Sequence, residues 1–146
     1  MSQAVVVAAF IVEDGKVLLT RRSDTKTVAP GLFHLPGGHV EFGEQPQEAL
    51  RRELAEELSI LTPQIGPPFA AFGYTTPAGV HTIAIVYLVA PPSDPIQLDG
   101  TENVAMVWAA ADELGLYLAP DDPVYQAALE GFACAAKYAG FPVRRT

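Results

Sequence analysis

A cluster of acidic residues on one predicted helix constrains this chain more than any other feature. The stretch RRELAEEL, residues 51–58, has a helical period. At about 100° per residue, its apolar stripe consists of Leu50, Leu54 and Leu58. The arc beside that stripe carries Glu53, Glu56 and Glu57. Like charges at this spacing destabilise a helix by roughly 0.2–0.5 kcal/mol per pair, and partial burial strengthens the repulsion because it lowers the local dielectric constant.

The turn before this helix supplies a chemical reason for the acidic cluster. LPGGHVEFGE adds Glu41, Glu44 and two glycines, so that a backbone carbonyl and several carboxylates can converge on one point. Hard divalent cations such as Mg²⁺ select oxygen ligands of this kind and bridge to substrate phosphates. The pattern therefore favours a metal site. The alternative is a solvated acidic face on which Arg51 and Arg52 form intrahelical ion pairs.

The charge balance argues against binding to a nucleic-acid polymer. The net charge is −8 and the pI is near 4.7. Proteins that bind a nucleic-acid backbone need clustered Lys and Arg to displace counterions from the phosphates. A small phosphate ligand remains compatible with this charge if a cation mediates its approach.

The apolar content predicts one compact domain over residues 1–146. Hydrophobic residues make up 49% of the chain, which is ample for a packed core. The apolar run from Ala4 to Val12 falls well short of the ~20 residues that cross a membrane, and no basic segment precedes it as in a secretory signal. The single cysteine, Cys134, cannot form an internal disulfide, so we expect a reduced cytoplasmic location.

Strand and helix patterns along the chain predict a mixed fold. AVVVAAFIVEDGKVLLTRR is typical of a hairpin that turns at Asp14-Gly15. We expect a helix from Gln45 to Ser59, a strand pair in FAAFGYTT and HTIAIVYLVA, a strand in NVAMVWAA and a short helical stretch in ADEL. Asp122 predicts the start of a last helix, which Gly140 ends. This order indicates an α+β protein with helices on the faces of a mixed sheet.

The segment from Gly38 to Ile60, GHVEFGEQPQEALRRELAEELSI, resembles the signature box of the Nudix hydrolases, the MutT-like pyrophosphohydrolases. That box reads G-x5-E-x7-R-E-U-x-E-E-x-G-U, where U is a bulky aliphatic residue. The matching positions are Gly38, Glu44, Arg52, Glu53, Leu54, Glu56, Glu57 and Ile60. Ser59 replaces the usual glycine at the helix end, where glycine best tolerates a left-handed conformation. The resemblance implies an α/β/α sandwich with a mixed central sheet.

The resemblance also implies a metal site and supporting roles. Family members cleave a pyrophosphate bond in a nucleoside diphosphate linked to another group, using Mg²⁺ or Mn²⁺. The implied metal ligands are Glu53, Glu56 and Glu57, joined by the carbonyl of Gly37 or Gly38. Arg52 is expected to fix a glutamate rotamer, and Glu44 to brace the loop against the helix. The general base is either a box glutamate or Glu102 in a later loop.

Candidate substrate contacts lie outside the box. Arg21 and Arg22 end the second strand, where one of them can meet a substrate phosphate, although a surface role is the simpler interpretation. Phe33, which stands where many members have tryptophan, and Tyr74 can stack on a base, but aromatic residues in strands more often serve packing. These four residues are therefore hypotheses for substrate binding.

The expected function is metal-dependent hydrolysis of a nucleoside triphosphate to the monophosphate and pyrophosphate. The compact length favours this reaction over hydrolysis of ADP-ribose or nucleotide sugars. One alternative is a non-catalytic nucleotide sensor of the same fold, which the complete set of box glutamates disfavours; another is an acidic structural helix in an unrelated protein. The expected partner is a small-molecule nucleotide, with no membrane and no nucleic-acid polymer. Many family members dimerise, which leaves a homodimer open.

Overall fold

A computed structural model describes residues 2–24 and 31–137. The strands in this part of the chain are β1 (Ser2–Glu13), β2 (Lys16–Arg22), β3 (Phe33–His34), β4 (Gly37–His39), β5 (Ile65–Thr75), β6 (Val80–Val89) and β7 (Asn103–Ala110). The helices are α1 (Pro46–Leu58), a 3₁₀ helix (Ala111–Leu116) and α2 (Pro123–Lys137). None of the helices in the described ranges combines the length and the apolar character that a membrane crossing requires.

The strands form one mixed sheet around β1. β1 pairs in parallel with β6, and β6 pairs antiparallel with β5 at the edge. The end of β1 pairs antiparallel with β2, and β2 carries β3 and β7 as further antiparallel partners. β4 pairs antiparallel with the middle of β1. This arrangement brings β4 and the ends of β2, β3 and β7 into the part of the sheet that borders the acidic helix.

Alternation along the strands divides the core into two layers. The layer that packs against α1 receives Val7, Ala9, Ile11, Leu18, Tyr87 and Val89 from the sheet. The layer that packs against α2 receives Phe10, Val17, Leu19, Val86 and Leu88. Because successive strand residues point to opposite faces, β1, β2 and β6 each supply both layers. The α/β/α sandwich with a mixed central sheet is therefore confirmed.

The predicted turns and helix starts agree with the structure. Asp14 and Gly15 both have positive φ, at 52° and 75°, as a two-residue type I′ turn requires. Asp122 accepts a hydrogen bond from the N–H of Val124 at 2.9 Å and so caps the start of α2. Gly140, the predicted end of that helix, lies outside the described residues.

Strand β5 begins earlier than its sequence predicts. The expected strand started at Phe69, after a Pro/Gly-rich connection, whereas β5 starts at Ile65 and includes Pro67 and Pro68. β5 is an edge strand, and its register with β6 shifts at Ile65/Pro68 and again at Pro68/Ala70. Proline is tolerated at such irregular edges because its missing N–H costs no ladder hydrogen bond.

The end of α1 adopts a left-handed cap on a serine. Ser59 has φ 59° and ψ 29°, and the N–H of Ile60 donates to the carbonyl of Leu54 at 3.1 Å. The N–H of Ser59 itself donates to the carbonyl of Ala55 at 3.2 Å, as in the left-handed cap motif in which glycine usually occupies this position. The motif ends the helix directly after Glu57 and Leu58, so the last acidic residue of the helix faces the loop that precedes β7.

Candidate functional site

Two glycines of β4 allow the acidic helix to approach the sheet. A side chain at Gly38 would collide with the Glu53 carboxylate, and one at Gly37 would collide with the backbone carbonyl of Val7. The N–H of Gly37 donates to Glu57 Oε1 at 3.2 Å. The close contacts explain why this turn needs residues without a Cβ. The predicted glycine turn thus lies beside the box carboxylates.

Three carboxylates converge at this position. One oxygen each from Glu53, Glu57 and Glu102 lies within 4.8 Å of the other two. Glu57 is 3% exposed, whereas Glu102 lies at the exposed edge of the group. Glu56, which the resemblance implies as a metal ligand, is outside this group, and its side chain is 59% exposed.

The loop that precedes β7 is hydrogen-bonded to the end of α1, and this places Glu102 beside the helix. The N–H of Asp99 donates to the carbonyl of Glu57 at 3.0 Å, which fastens the loop to the end of α1. The Asp99 carboxylate accepts the N–H groups of Asn103 at 3.1 Å and of Glu102 at 3.4 Å. Because a short acidic side chain organises the turn in this way, the start of β7 is held against the helix.

Burial dominates the electrostatics of the carboxylate group. Loss of solvent around Glu57, reinforced by the negative charges of Glu53 and Glu102, raises its pKa to about 8, although a hydrogen bond from Asn103 opposes this shift. Burial also raises the pKa of Glu53, against the effect of Arg52. A divalent cation would relieve both the lost solvation and the mutual repulsion. The all-oxygen donor set fits Mg²⁺ or Mn²⁺ on these grounds.

Arg52 connects the helix to the preceding loop. Its Nε and Nη2 donate to the two oxygens of Glu44 at 2.9 and 3.0 Å, and Nη1 donates to Glu53 at 2.9 Å. Nη2 also donates to the carbonyl of His39 at 3.0 Å. The guanidinium holds the pKa of Glu44 at about 2. Planar, two-pronged contacts of this kind restrict the rotamers of both carboxylates.

Glu44 and Glu41 belong to the supporting loop and lie apart from the three converging carboxylates. Glu44 accepts the N–H of Glu41 at 3.0 Å, in addition to the contacts with Arg52. Glu41 is 3.8 Å from Arg52, and its side chain is 68% exposed. Through Arg52, the contacts of Glu44 join this loop to helix α1.

The four candidate substrate residues are spread around the sheet. Arg21 pairs with Asp24 at 3.5 Å. Arg22 lies opposite Asn103 in the β2–β7 ladder, next to the loop that carries Glu102. The ring of Phe33 meets that of Tyr117 edge to face, with 5.0 Å between centroids. Tyr74 lies 6.1 Å from the ring of Phe72.

Sequence reasoning did not select Asn103 or the buried contacts of His34. Asn103 donates from Nδ2 to Glu57 Oε2, and its Oδ1 lies 3.0 Å from His34 Nε2. From its sequence position, His34 has no metal-ligand spacing to the other histidines, which favours a structural or edge role over metal binding. Nothing in the local pattern marks Asn103, because an asparagine at a strand start is an ordinary turn residue. The pairing of β7 with β2 was needed to reveal it.

Comparisons with known proteins agree with this geometry. The family model described as NUDIX domain matches residues 1–130. The chain is 45% identical over 69 residues to "Nucleoside triphosphatase NudI" of Escherichia coli O139:H28, a match that covers 46% of this chain and 49% of the relative. The chain thus spans about half the length of the curated relatives it matches.

Solved structures extend the similarity over most of the chain. The solution structure of the E. coli ORF135 protein is 35% identical, with a TM-score of 0.74, and the match covers 95% of this chain and 96% of that one. The MutT NUDIX hydrolase from Burkholderia pseudomallei is 28% identical, with a TM-score of 0.75, and the match covers 90% of this chain and 98% of that one. The chain belongs to the Nudix hydrolase family.

Proposed function

We propose that this chain hydrolyses a pyrophosphate bond in nucleoside diphosphate derivatives, preferring nucleoside triphosphates, with Mg²⁺ or Mn²⁺ as cofactor. The observation that carries this proposal is the convergence of Glu53, Glu57 and Glu102 within 4.8 Å beside the glycine turn. Family membership supports the reaction class. The relative that is 45% identical over 69 residues is a nucleoside triphosphatase by name, which supports the choice of substrate.

Some side chains of the site would hold the cation, and others would keep those side chains in position. Glu57, which is buried, and Glu53, which is half-buried, would hold the cation, with Glu102 or a glycine carbonyl as a further oxygen. When bound, the cation neutralises phosphate charge and lowers the pKa of water. Arg52 keeps Glu53 in its rotamer through the 2.9 Å contact, and Glu44 keeps Arg52 in place. The two residues act on the chemistry through the carboxylates.

Glu102 is our candidate for the group that takes a proton from the attacking water. It is exposed, whereas Glu57 is buried and Glu53 is half-buried, so that water and substrate can reach it. A carboxylate at the edge of a phosphate site can accept a proton within hydrogen-bond reach of the nucleophile. Glu102→Gln should therefore lower kcat more than it weakens Mg²⁺ binding, whereas Glu57→Gln should weaken Mg²⁺ binding itself.

Further proposals concern the substrate and its setting. Arg22 lies beside the Glu102 loop and is the better placed of the two arginines for a phosphate contact. Tyr74 is 38% exposed and can offer its ring to a base. A cytoplasmic location and a homodimer remain predictions, which fractionation and light scattering can test.

A substrate screen tests the proposed function. Purified chain is incubated with Mg²⁺ and nucleoside triphosphates, oxidised triphosphates, ADP-ribose and nucleotide sugars, and the products are separated by ion-exchange chromatography. We expect a monophosphate and pyrophosphate from a triphosphate, loss of this activity with EDTA, and near-complete loss in Glu57→Gln. Glu48→Gln, an exposed glutamate in the first turn of α1, is the matched control and should retain activity.

Two results would contradict the proposal. Binding of nucleotides without turnover of any compound would identify a sensor. Equal turnover in wild type and Glu57→Gln would show that the carboxylate group is not the active site. Turnover confined to ADP-ribose or nucleotide sugars would retain the hydrolase but correct the substrate class.

A further inference from the structure

A buried row of polar side chains continues from Glu57 across three strands. Asn103 of β7 donates to Glu57, and its Oδ1 lies 3.0 Å from Nε2 of His34 in β3. The same nitrogen lies 3.3 Å from Oγ1 of Thr20 in β2. Asn103 and Thr20 are 1% and 0% exposed. Because Asn103 and Thr20 are shielded from solvent, water cannot readily replace a partner that either of them loses.

The carboxylate determines the direction of every bond in this row. The ionised form of Glu57, which is the form that binds a cation, can only accept hydrogen bonds, so Asn103 must turn its NH₂ group toward it. The amide oxygen of Asn103 then faces His34. A ring nitrogen that faces a carbonyl oxygen must carry the hydrogen, which assigns the proton of the neutral imidazole to Nε2. The Thr20 hydroxyl oxygen is a second acceptor for that N–H.

We propose that His34 and Asn103 are positioning residues for Glu57, and that the N–H of His34 selects the amide orientation of Asn103 that holds Glu57 as a metal ligand. This inference rests on the proposed function, because it takes Glu57 as a ligand of the cation. Without the donor on His34, the amide can rotate and present its oxygen to Glu57, where two acceptors repel. Groups that orient metal ligands in this way change metal affinity by about 10–100-fold when they are removed.

Two substitutions at His34 distinguish a role in positioning Glu57 from a role in packing alone. His34→Leu removes the N–H and leaves an apolar side chain in the same place. His34→Gln keeps an N–H donor at about the same reach from the backbone as Nε2 and should rescue the orientation. Thr82→Val is the matched control for loss of a buried polar contact elsewhere in the sheet, because Thr82 is 2% exposed and donates to the carbonyl of Val80 at 3.3 Å.

The measurement is Mn²⁺ affinity of the full chain without substrate, followed by the electron paramagnetic resonance signal of free Mn²⁺. We expect the dissociation constant to rise at least about tenfold in His34→Leu. It should stay close to the wild-type value in His34→Gln and in Thr82→Val, even where thermal melting shows that Thr82→Val is destabilised. Should His34→Leu not fold, Asn103→Ala makes the same test, because it removes the donor to Glu57 itself.

The possible failures can be told apart. If His34→Leu and Asn103→Ala both bind Mn²⁺ with wild-type affinity, the inference is overturned while the proposed function stands. The inference is also overturned if folded His34→Gln binds Mn²⁺ as weakly as His34→Leu does. An N–H donor at this position would then not be enough to orient Asn103 and Glu57. A wild-type chain that binds no Mn²⁺ overturns both this inference and the proposed metal dependence.

Discussion

Among the described residues, Glu57 is the carboxylate whose pKa is raised most clearly by burial and by neighbouring negative charges. Its raised pKa of about 8 means that the metal-free protein holds Glu57 as a neutral acid at neutral pH. A cation stabilises the ionised form, so binding should release a proton. Glu57 therefore lowers the stability of the metal-free protein, and the same buried carboxylate contributes affinity for the cation.

The pH dependence of stability tests this property of Glu57. In EDTA, we expect the free energy of unfolding to fall between pH 6.5 and 8, by up to about 1.4 kcal/mol per pH unit. Glu57 is ionised in the unfolded chain above its ordinary pKa of 4.5 but stays protonated in the folded chain up to about 8, so the folded state binds the extra proton. Burial lowers the pKa of His34 from 6.5, which adds stability as the pH rises to that value and sets the lower limit of the window.

Urea unfolding of wild type and Glu57→Gln across this window gives the comparison. The variant loses the titrating group, so its stability should change less with pH. The difference between the two slopes is the relevant quantity, because the amide also alters hydrogen bonds by an amount that does not depend on pH. Parallel curves would refute the assignment of the raised pKa to Glu57.

Arg52 and Arg51 are neighbours with different environments. Arg52 binds Glu44, Glu53 and the carbonyl of His39, whereas Arg51 donates to the carbonyl of Pro63 over a longer distance of 3.4 Å. Lysine cannot reproduce the planar fork, so Arg52→Lys should lower the Mg²⁺-dependent rate about 10–100-fold. Arg51→Lys should leave the rate unchanged. Initial-rate assays at saturating Mg²⁺ compare the two, and equal effects would argue against the positioning role.

At the scale of the element, the end of α1 carries strain on Ser59. A residue with a Cβ in the left-handed region lowers the stability of the folded state by roughly 1–2 kcal/mol. Glycine avoids this strain, but part of the gain is offset because glycine also has more conformational entropy in the unfolded chain. Ser59→Gly should therefore raise the free energy of unfolding by about 0.5–1 kcal/mol. Ser93→Gly is the control, since Ser93 is exposed and has no positive φ. Chemical denaturation measures both, and a gain in the control alone would contradict the cap argument.

Helix α2 depends on a glycine of a different kind. A Cβ at Gly131 would lie 2.6–2.8 Å from ring atoms of Phe10, which is fully buried and edge to face with Phe69 and Phe132. Gly131→Ala gains helix propensity of about 1 kcal/mol but overpacks the core by about 1–3 kcal/mol, so we expect a net loss of stability.

Gly115→Ala is the matched substitution for Gly131→Ala. Gly115 lies in the 3₁₀ helix, and a Cβ there meets no atom within 4 Å. Its thermal midpoint should match or exceed that of wild type, while that of Gly131→Ala should drop. A stabilised Gly131→Ala would show that Phe10 can move aside.

At the scale of the whole molecule, the site is assembled from segments far apart in the chain. Gly37 and Glu57 are 20 positions apart, and Glu57 and Asn103 are 46 apart, yet both pairs are hydrogen-bonded. An unfolded chain therefore contains no preformed site. Metal binding should be coupled to the folded state alone.

This coupling predicts that Mg²⁺ stabilises the chain against unfolding. At a free concentration of 100 times the dissociation constant, the gain should be about 2.7 kcal/mol. Thermal melting with Mg²⁺ or with EDTA measures the shift, which should vanish in Glu57→Gln and persist in Glu48→Gln. A shift of the same size in Glu57→Gln would place the stabilising ion elsewhere.

Local patterns were sufficient for the elements and for part of the site. The β1–β2 turn follows from Asp14-Gly15, and α1 from the leucine period, because both are set by neighbours in sequence. Arg52 was expected to fix a glutamate rotamer, but the sequence did not identify Glu44 as its partner. The early start of β5 was missed, since only its place at the sheet edge makes Pro67 and Pro68 acceptable.

The sequence by itself determined which carboxylates were available and that they border a buried helix face, because helical spacing is a local property. The tertiary structure decided which of them meet: Glu102 joins Glu53 and Glu57, while Glu56 stays in solvent. It also decided that Asn103 and His34 support Glu57. The physical reason is that burial and distance between side chains depend on how β4, β7 and α1 pack, which no single stretch of sequence encodes.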